Sequence, residues 1–369
     1  MVDAQKSNIV FFTGFPGFIG YNLIKRLLVS DASCQFRLLV EARLVPLCQS
    51  ELQKLEQEIP GAILRCEIIP GDITEAKLGL SEELRNRLAG EVTYAYHLAA
   101  IYDLAVPSEM AYKINVDGTR FVLDFLALAK NFKRLIYFST CYVAGLREGH
   151  ILETELIKGQ TFKNHYESTK YAAEVLVQEK QKQIPSVIIR PSIVVGNSQT
   201  GETRKYDGPY FMIQLLLNLP KWIPMVHIGK GEVALNLVPV DYIIEGTLAL
   251  ATAEGTEGRV YALADPDPLP VRQLWLLLLE LTGHGKPWFT LPLGLVKFVM
   301  NFSWVRNLLK IPQEVLGYFD AKMTLDTTHA VSTLKPLGVV CPHSRDYMGR
   351  LIDFVRKHPD INPIRKPMY

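Results

Sequence analysis

NIVFFTGFPGFIG, residues 8–20, decides the fold of this chain. A short apolar run ends in Thr13-Gly14 and passes directly into FIGYNLIKRLLVS, a helical pattern beginning at Phe18. Gly14, Gly17 and Gly20 stand three apart at this strand-to-helix junction. Backbone without Cβ can turn tightly there and come close to a pyrophosphate. The start of a helix adds unpaired N–H groups and the positive end of the helix dipole.

The same texture recurs along the chain. FRLLVE (36–41), ILRCEIIPGD (63–72), TYAYHLAA (93–100), RLIYFST (134–140) and SVIIRPSIVVG (186–196) are short, rich in β-branched or aromatic residues, and nearly continuous in apolar character. Such runs are expected of parallel strands covered on both faces. Helical patterns lie between them, among them NVDGTRFVLDFLALAK (115–130), with Phe121, Val122, Phe125 and Leu128 near one face, and YESTKYAAEVLVQEK (166–180). This alternation predicts an α/β fold, a Rossmann-type doubly wound parallel sheet with right-handed crossovers. After residue 196 the rhythm changes. GNSQTGETRKYDGP (196–209) is a polar, glycine-rich loop, and YFMIQLLLNLPKWIPMV (210–226) is apolar and broken by prolines. VPVDYIIEGTLALA (238–251) reads as helix and GRVYALAD (258–265) as strand, while the chain from 269 onward reads as helices. The expected division is a cofactor domain at 1–196, with 237–265 returning to it, and a smaller, mainly helical substrate portion at 197–236 and 266–369.

Composition narrows the function. Of 369 residues, 48% are hydrophobic and 21% charged, enough for a sizeable core. Lys plus Arg is 40 against 38 Asp plus Glu, a balance that gives no reason to expect nucleic acid. The five cysteines, Cys34, Cys48, Cys66, Cys141 and Cys341, form no CxxC pair, so reduced thiols are expected and no metal site. MVDAQKSN at the start has no signal-peptide character, and no run of about 18 apolar residues appears. The expected location is the cytoplasm.

The glycine spacing is GxxGxxG rather than the GxGxxG of ordinary dinucleotide folds. An acidic residue at the end of the second strand would hold a ribose 2′-OH. Glu41 stands there and favours NAD, whereas Arg43, two residues on, would meet a 2′-phosphate and favour NADP. Asp72, after the third strand, is placed to meet the adenine end or to serve as a turn aspartate.

NHYESTKYAAE (164–174) carries Tyr166 and Lys170 four apart on a helix, where the two side chains share a face. Together with the glycine loop and FSTCYV (138–143), this resembles the extended short-chain dehydrogenase/reductase superfamily over nearly the whole chain. HLAA (97–100), NVDGT (115–119), IIRPSIVVG (188–196) and VPVDYI (238–243) fall where that superfamily has similar segments. STCYVAG, NHYESTKYAAE and RPSIVVGNSQTGE are most similar to its thioester and fatty acyl reductase branch, the male-sterility type. The resemblance implies reduction of an acyl thioester or aldehyde with NADP(H) or NAD(H); Glu41 stands where that branch often has a basic residue. It implies Tyr166 as proton donor, Lys170 as its cationic neighbour and nicotinamide-ribose ligand, and Thr140 as the hydroxyl that orients the substrate oxygen. Ser139 should point to the opposite face of its strand. Beside the glycines, the cofactor is expected to meet Phe15, Pro16, Phe18, Ile19, Ile73, Ala99, Pro191 and Ile193. Asn115 matches a supporting asparagine or is a cap or packing residue; His165 is a neighbour without a role. A tyrosine near ~10 is a poor base at neutral pH. A cation 5–6 Å away, at an effective dielectric near ~20, is expected to lower it by about two pKa units.

The segments 210–226, LWLLLLEL (274–281) and WFTLPLGLVKFVMNFSWVRNLL (288–309) are apolar, as a lipophilic pocket or a helical core would be. Lys297, Arg306 and Lys310 among aromatic residues admit contact with a membrane surface, and the expectation also admits a homodimer. The competing readings are a 3β-hydroxysteroid-type dehydrogenase or a nucleotide-sugar epimerase or dehydratase on the same scaffold, and a non-catalytic redox sensor. The sugar enzymes would need an Arg-bearing polar substrate side, and a sensor would not keep the Tyr-xxx-Lys pair.

Overall fold

A computed structural model of the chain describes residues 8–103, 106–300 and 322–361. Seven parallel strands form the central sheet: β1 Ile9–Thr13, β2 Gln35–Val40, β3 Cys66–Pro70, β4 Tyr94–His97, β5 Arg134–Phe138, β6 Ser186–Pro191 and β7 Val260–Leu263, in the order β3-β2-β1-β4-β5-β6-β7. The helices are α1 Phe18–Ser30, α2 Val45–Glu58, α3 Glu82–Glu91, α4 Gly118–Leu126, α5 His165–Lys180, α6 Tyr210–Asn218, α7 Val240–Thr252, α8 Val271–Thr282, α9 Leu293–Met300, α10 Thr328–Leu334 and α11 Ser344–Lys357, with shorter turns between them.

Alternation along each strand sorts its side chains onto two dry faces. Val10 and Phe12 of β1 pack with α1, α2, α7 and α10, while Phe11 between them packs with α3, α4 and α5. Phe11 meets Phe125 of α4 with ring centroids 4.8 Å apart. Each such fully buried side chain contributes roughly 1.5–3 kcal/mol. The buried side of α4 is formed by Val122, Leu123, Phe125 and Leu126. Leu128 lies past the helix end and is exposed, contrary to its expected place on that face, because the helix stops at Leu126.

The run 186–196 does not continue as one strand. Pro191 has no N–H to extend the ladder, and the chain leaves the sheet there; Ile193–Val195 pairs instead with Leu237–Pro239. A second core gathers α6, α8 and α11 around Tyr210, Ile213, Leu274, Leu278, Tyr347 and Leu351. The chain after 269 is not purely helical. Phe289–Leu291 pairs with Val226–Ile228, and Met323–Leu325 pairs with Gly149–Ile151. Each is three residues long, too short for a period-2 pattern to stand out.

The glycine turn is held by backbone contact. Gly14 adopts φ +98°, and a Cβ there would lie 2.8 Å from Ala99 N. A Cβ on Gly17 or Gly20 would lie 2.8 or 2.6 Å from the Gly14 carbonyl oxygen. The glycines thus let the turn fold onto β4 and onto itself. Gly20→Ala should therefore lower stability by about 1–3 kcal/mol, the usual cost of overpacking. Gly90→Ala in α3, where an added Cβ meets nothing within 4 Å, should raise it by up to about 1 kcal/mol. Thermal unfolding of both variants checks the contrast.

Candidate active site

The sequence fixes the start of α5 locally. Asn164 caps it, its Oδ1 accepting from Glu167 N at 2.9 Å, and Glu167 reaches back to accept from Lys163 N at 3.1 Å. This Asn-x-x-Glu capping pattern places Tyr166 in the first helical turn and Lys170 one turn later, against the end of β5.

Thr140 follows β5 in extended conformation, and its Oγ1 accepts from Tyr142 N at 3.2 Å. Tyr166 is half-buried, and desolvation pushes its phenol up to about 12, with the Thr140 hydroxyl pulling the other way through a hydrogen bond. Thr140 and Tyr166 are therefore brought together. Ser139 is turned away, as strand geometry requires: its hydroxyl donates to Glu174 Oε2 at 2.5 Å.

Lys170 is 4% exposed. Its ammonium donates to Phe138 O at 2.6 Å and Tyr137 Oη at 3.2 Å, and lies 4.7 Å from the Tyr137 ring centroid. Burial brings it down to about 7, against the pull of the Glu174 carboxylate. The expected lowering of Tyr166 by Lys170 is absent from this arrangement. The leading influence on Tyr166 is desolvation, which raises it.

A buried polar network runs beneath the site. Thr13 Oγ1 is 2.7 Å from His97 Nδ1 and accepts from Ala99 N at 3.2 Å, while His97 Nε2 is 3.1 Å from Thr119 Oγ1. Thr119 donates to Asn115 O at 2.6 Å, so it accepts from a protonated Nε2, and His97 Nδ1 takes the Thr13 proton. Burial keeps this ring neutral, its pKa pushed down to about 3. Asn115 is a support: its side chain accepts from Ile101 N at 2.9 Å and donates to Ile101 O at 3.1 Å and Thr169 Oγ1 at 3.0 Å. His165 is exposed.

The residues expected around a cofactor divide into two groups. Gly14, Pro16 and Gly17 form the turn, and Ala99 backs it. The first turn of α1 has no side-chain cap and no acidic residue, so its amides suit an anion. Phe15 is instead a buried core side chain, stacked on Tyr21 at 6.3 Å. Phe18 and Ile19 pack partly against the same core. Glu41 and Arg43 pair with each other, 2.5 Å apart. Asp72 accepts from Thr74 N at 2.7 Å in a turn, Ile73 packs over Gly118, Pro191 is buried at the end of β6, and Ile193 packs partly on the second core.

The reading of the sequence missed Glu174 and Arg190. They pair at 2.6 Å with side chains 0% and 4% exposed, and Arg190 also donates to the carbonyls of Glu153 and Glu155. An arginine inside the apolar run SVIIRP was the available signal, since a buried charge requires a partner.

The Lys170 shift has a consequence for stability. Its pKa falls from 10.5 to about 7 on folding. The unfolded chain therefore binds the extra proton between those values, and the cost of burying the lysine is full below pH 7 and vanishes above 10.5. Relative to wild type, Lys170→Met should be stabilised more at about pH 6.5 than at about pH 9.5. Calorimetric melting at both pH values checks it; a pH-independent difference would mean that folding does not desolvate the ammonium.

Among the described residues no helix is long and apolar enough to cross a membrane. Comparison with known proteins gives a consistent picture. The chain is 28% identical over 282 residues to the fatty acyl-CoA reductase wat of Drosophila melanogaster, covering 67% of this chain and 54% of that protein. It is 29% identical over 288 residues to the glycine betaine reductase ATRR of Emericella nidulans, covering 72% of this chain and 22% of that one. It thus spans about half the length of the first and about a fifth of the second. The solved terminal R domain of the myxalamid PKS-NRPS biosynthetic pathway has the same fold, with a TM-score of 0.81 at 24% identity over 96% of this chain and 92% of that one. The family model described as Male sterility protein matches residues 12–247, well over half of the chain, which therefore belongs to that NAD-binding family.

Proposed function

We propose that this chain is an NAD(P)H-dependent reductase of the extended short-chain dehydrogenase/reductase type, acting on the carbonyl of a lipophilic acyl thioester or aldehyde. The observation that carries the reading is the placement of Thr140, at the end of β5, beside Tyr166 and Lys170 at the start of α5, at the strand edge that also carries the glycine turn. A nicotinamide cofactor held at Gly14, Pro16, Gly17 and the start of α1 would supply a hydride to the carbonyl carbon. The carbonyl oxygen then needs a proton, and the Tyr166 phenol, un-ionised at neutral pH as a tyrosine ordinarily is, would give it. Thr140 Oγ1 is placed to donate to the same oxygen and hold it. Lys170, tied to the end of β5, lies one helical turn further along and would be the ribose ligand.

In this reading residues 1–196 with 237–265 hold the cofactor, and 197–236 with 266–369 form the substrate side. Helix α10 is an exception, packed on the sheet. A mainly apolar hollow of about 30 Å³ between Tyr142, Leu235, Asn236, Pro268, Met323 and Leu325 is about the size of one water molecule, too small for an acyl chain. The segments 210–226 and 274–281 serve mostly as core rather than pocket, whereas Trp222, Trp288, Phe289, Leu295 and Phe298 are exposed. Of the residues expected at a membrane surface, Arg306 and Lys310 lie outside the described residues.

Tyr166→Phe removes the acid and keeps the ring. Turnover of long-chain acyl-CoA or fatty aldehyde, followed by cofactor oxidation, should fall by about 10²–10⁴-fold with little change in cofactor affinity. Near-wild-type turnover would remove Tyr166 from the chemistry.

Cofactor choice rests on the Glu41–Arg43 pair. Glu41→Ala frees the guanidinium for a 2′-phosphate and should shift the ratio of dissociation constants toward NADPH. Arg43→Ala should shift it toward NADH. An unchanged ratio in both variants would place the 2′ position elsewhere.

A further inference from the structure

We infer that Arg204 positions the glycine turn for dinucleotide binding, so that the polar loop 197–209 takes part in the cofactor site from outside the sheet. The inference rests on the cofactor reading above and adds to it a residue distant in sequence. Arg204 touches three separate pieces. Its Nη1 donates to Pro16 O at 3.2 Å, its Nη2 donates to Glu51 Oε2 on α2 at 2.6 Å, and its guanidinium lies 3.9 Å from the ring centroid of Tyr21 on α1.

The contact with Pro16 matters most. The Pro16 carbonyl and the Gly17 N–H belong to one planar peptide. Gly17 N donates to Gly14 O at 2.9 Å, and Arg204 holds the carbonyl of the same peptide. The plane is fixed from both sides, and with it the direction in which α1 begins. The Tyr21 ring that Arg204 covers is stacked on Phe15, so the turn is braced through its side chain as well.

The other end of the brace is firm. Glu51 is buried, its side chain 7% exposed, and also accepts from Lys54 at 2.7 Å. Burial alone would raise the Glu51 carboxyl, but Lys54 and Arg204 hold it below its ordinary value. The loop itself is anchored to the second core. Ser198 is held by Asp241 and by Arg350, and the Tyr206 hydroxyl donates to His358 O at 2.7 Å. Arg204 thus carries a fixed reference from the C-terminal helix to the turn. A lysine would keep the charge but lose the fork that spans two acceptors.

The test is calorimetric titration of the full chain with NADH, NADPH and ADP-ribose, alongside steady-state kinetics. Arg204→Met should weaken the preferred dinucleotide and ADP-ribose alike by about tenfold, the size of one lost charge-assisted hydrogen bond, and raise the cofactor KM while kcat stays within about twofold. Arg204→Lys should recover part of the loss. Glu51→Gln should produce a smaller loss that does not add to that of Arg204→Met. If Arg204→Met does not fold, Arg204→Lys and Glu51→Gln still report on the brace. Unchanged affinity in folded variants, or a fall in kcat with affinity intact, overturns the inference while leaving the cofactor reading standing. A wild-type chain that binds neither dinucleotide overturns both.

Discussion

The Lys170 ammonium lies where solvent scarcely reaches, and the groups around it are arranged to meet the cost of placing a cation there. Desolvating an ammonium is unfavourable by several kcal/mol unless partners replace its water. Here the replacements are a backbone carbonyl at the end of β5, the Tyr137 hydroxyl and face, and more distantly the Glu174 carboxylate. The compensation is incomplete, and the lysine titrates near neutrality. Tyr166 is half-buried, and desolvation raises its phenol.

Glu174 connects this cation to the frame of the fold. One carboxylate accepts from Ser139 and from Arg190, and Arg190 extends to the carbonyls of residues 153 and 155. Ser139 and Thr140 are adjacent, yet strand geometry sends one hydroxyl into this structural pair and leaves the other beside Tyr166. The glycine turn is fixed by a different device. Its backbone lies against Leu98 and Ala99 and against its own Gly14 carbonyl, at distances that leave no room for a side chain. Both halves of the site meet at the carboxyl edge of the central strands, where an open α/β sheet leaves its crevice.

Much of this was legible in the chain. NIVFFTGFPGFIG, the continuous apolar runs and the helices between them specify a doubly wound parallel sheet, because each pattern reflects local geometry. NHYE at 164–167 announces its own helix start. Other features were not legible. Nothing in SVIIRPSIVVG says that the run divides at Pro191 between two sheets, since both halves are equally apolar. Phe15 stands inside the glycine motif but turns into the core, because the turn packs on Tyr21. Glu41 and Arg43, two residues apart, are paired with each other at the end of β2.

By itself the sequence determined the alternation of strands and helices in the central sheet, the place of the glycine turn, and the setting of Tyr166 and Lys170 on one helix. These follow from spacing along a single element, where neighbours in sequence are neighbours in space. The tertiary structure alone decided the direction of the Tyr166 shift, the burial of Lys170, the Glu174–Arg190 pair and the reach of Arg204 onto Pro16. Each of these depends on how far water is excluded and on which distant segments share one place. Neither quantity is written in local periodicity, because desolvation and long-range contact exist only once the layers have closed.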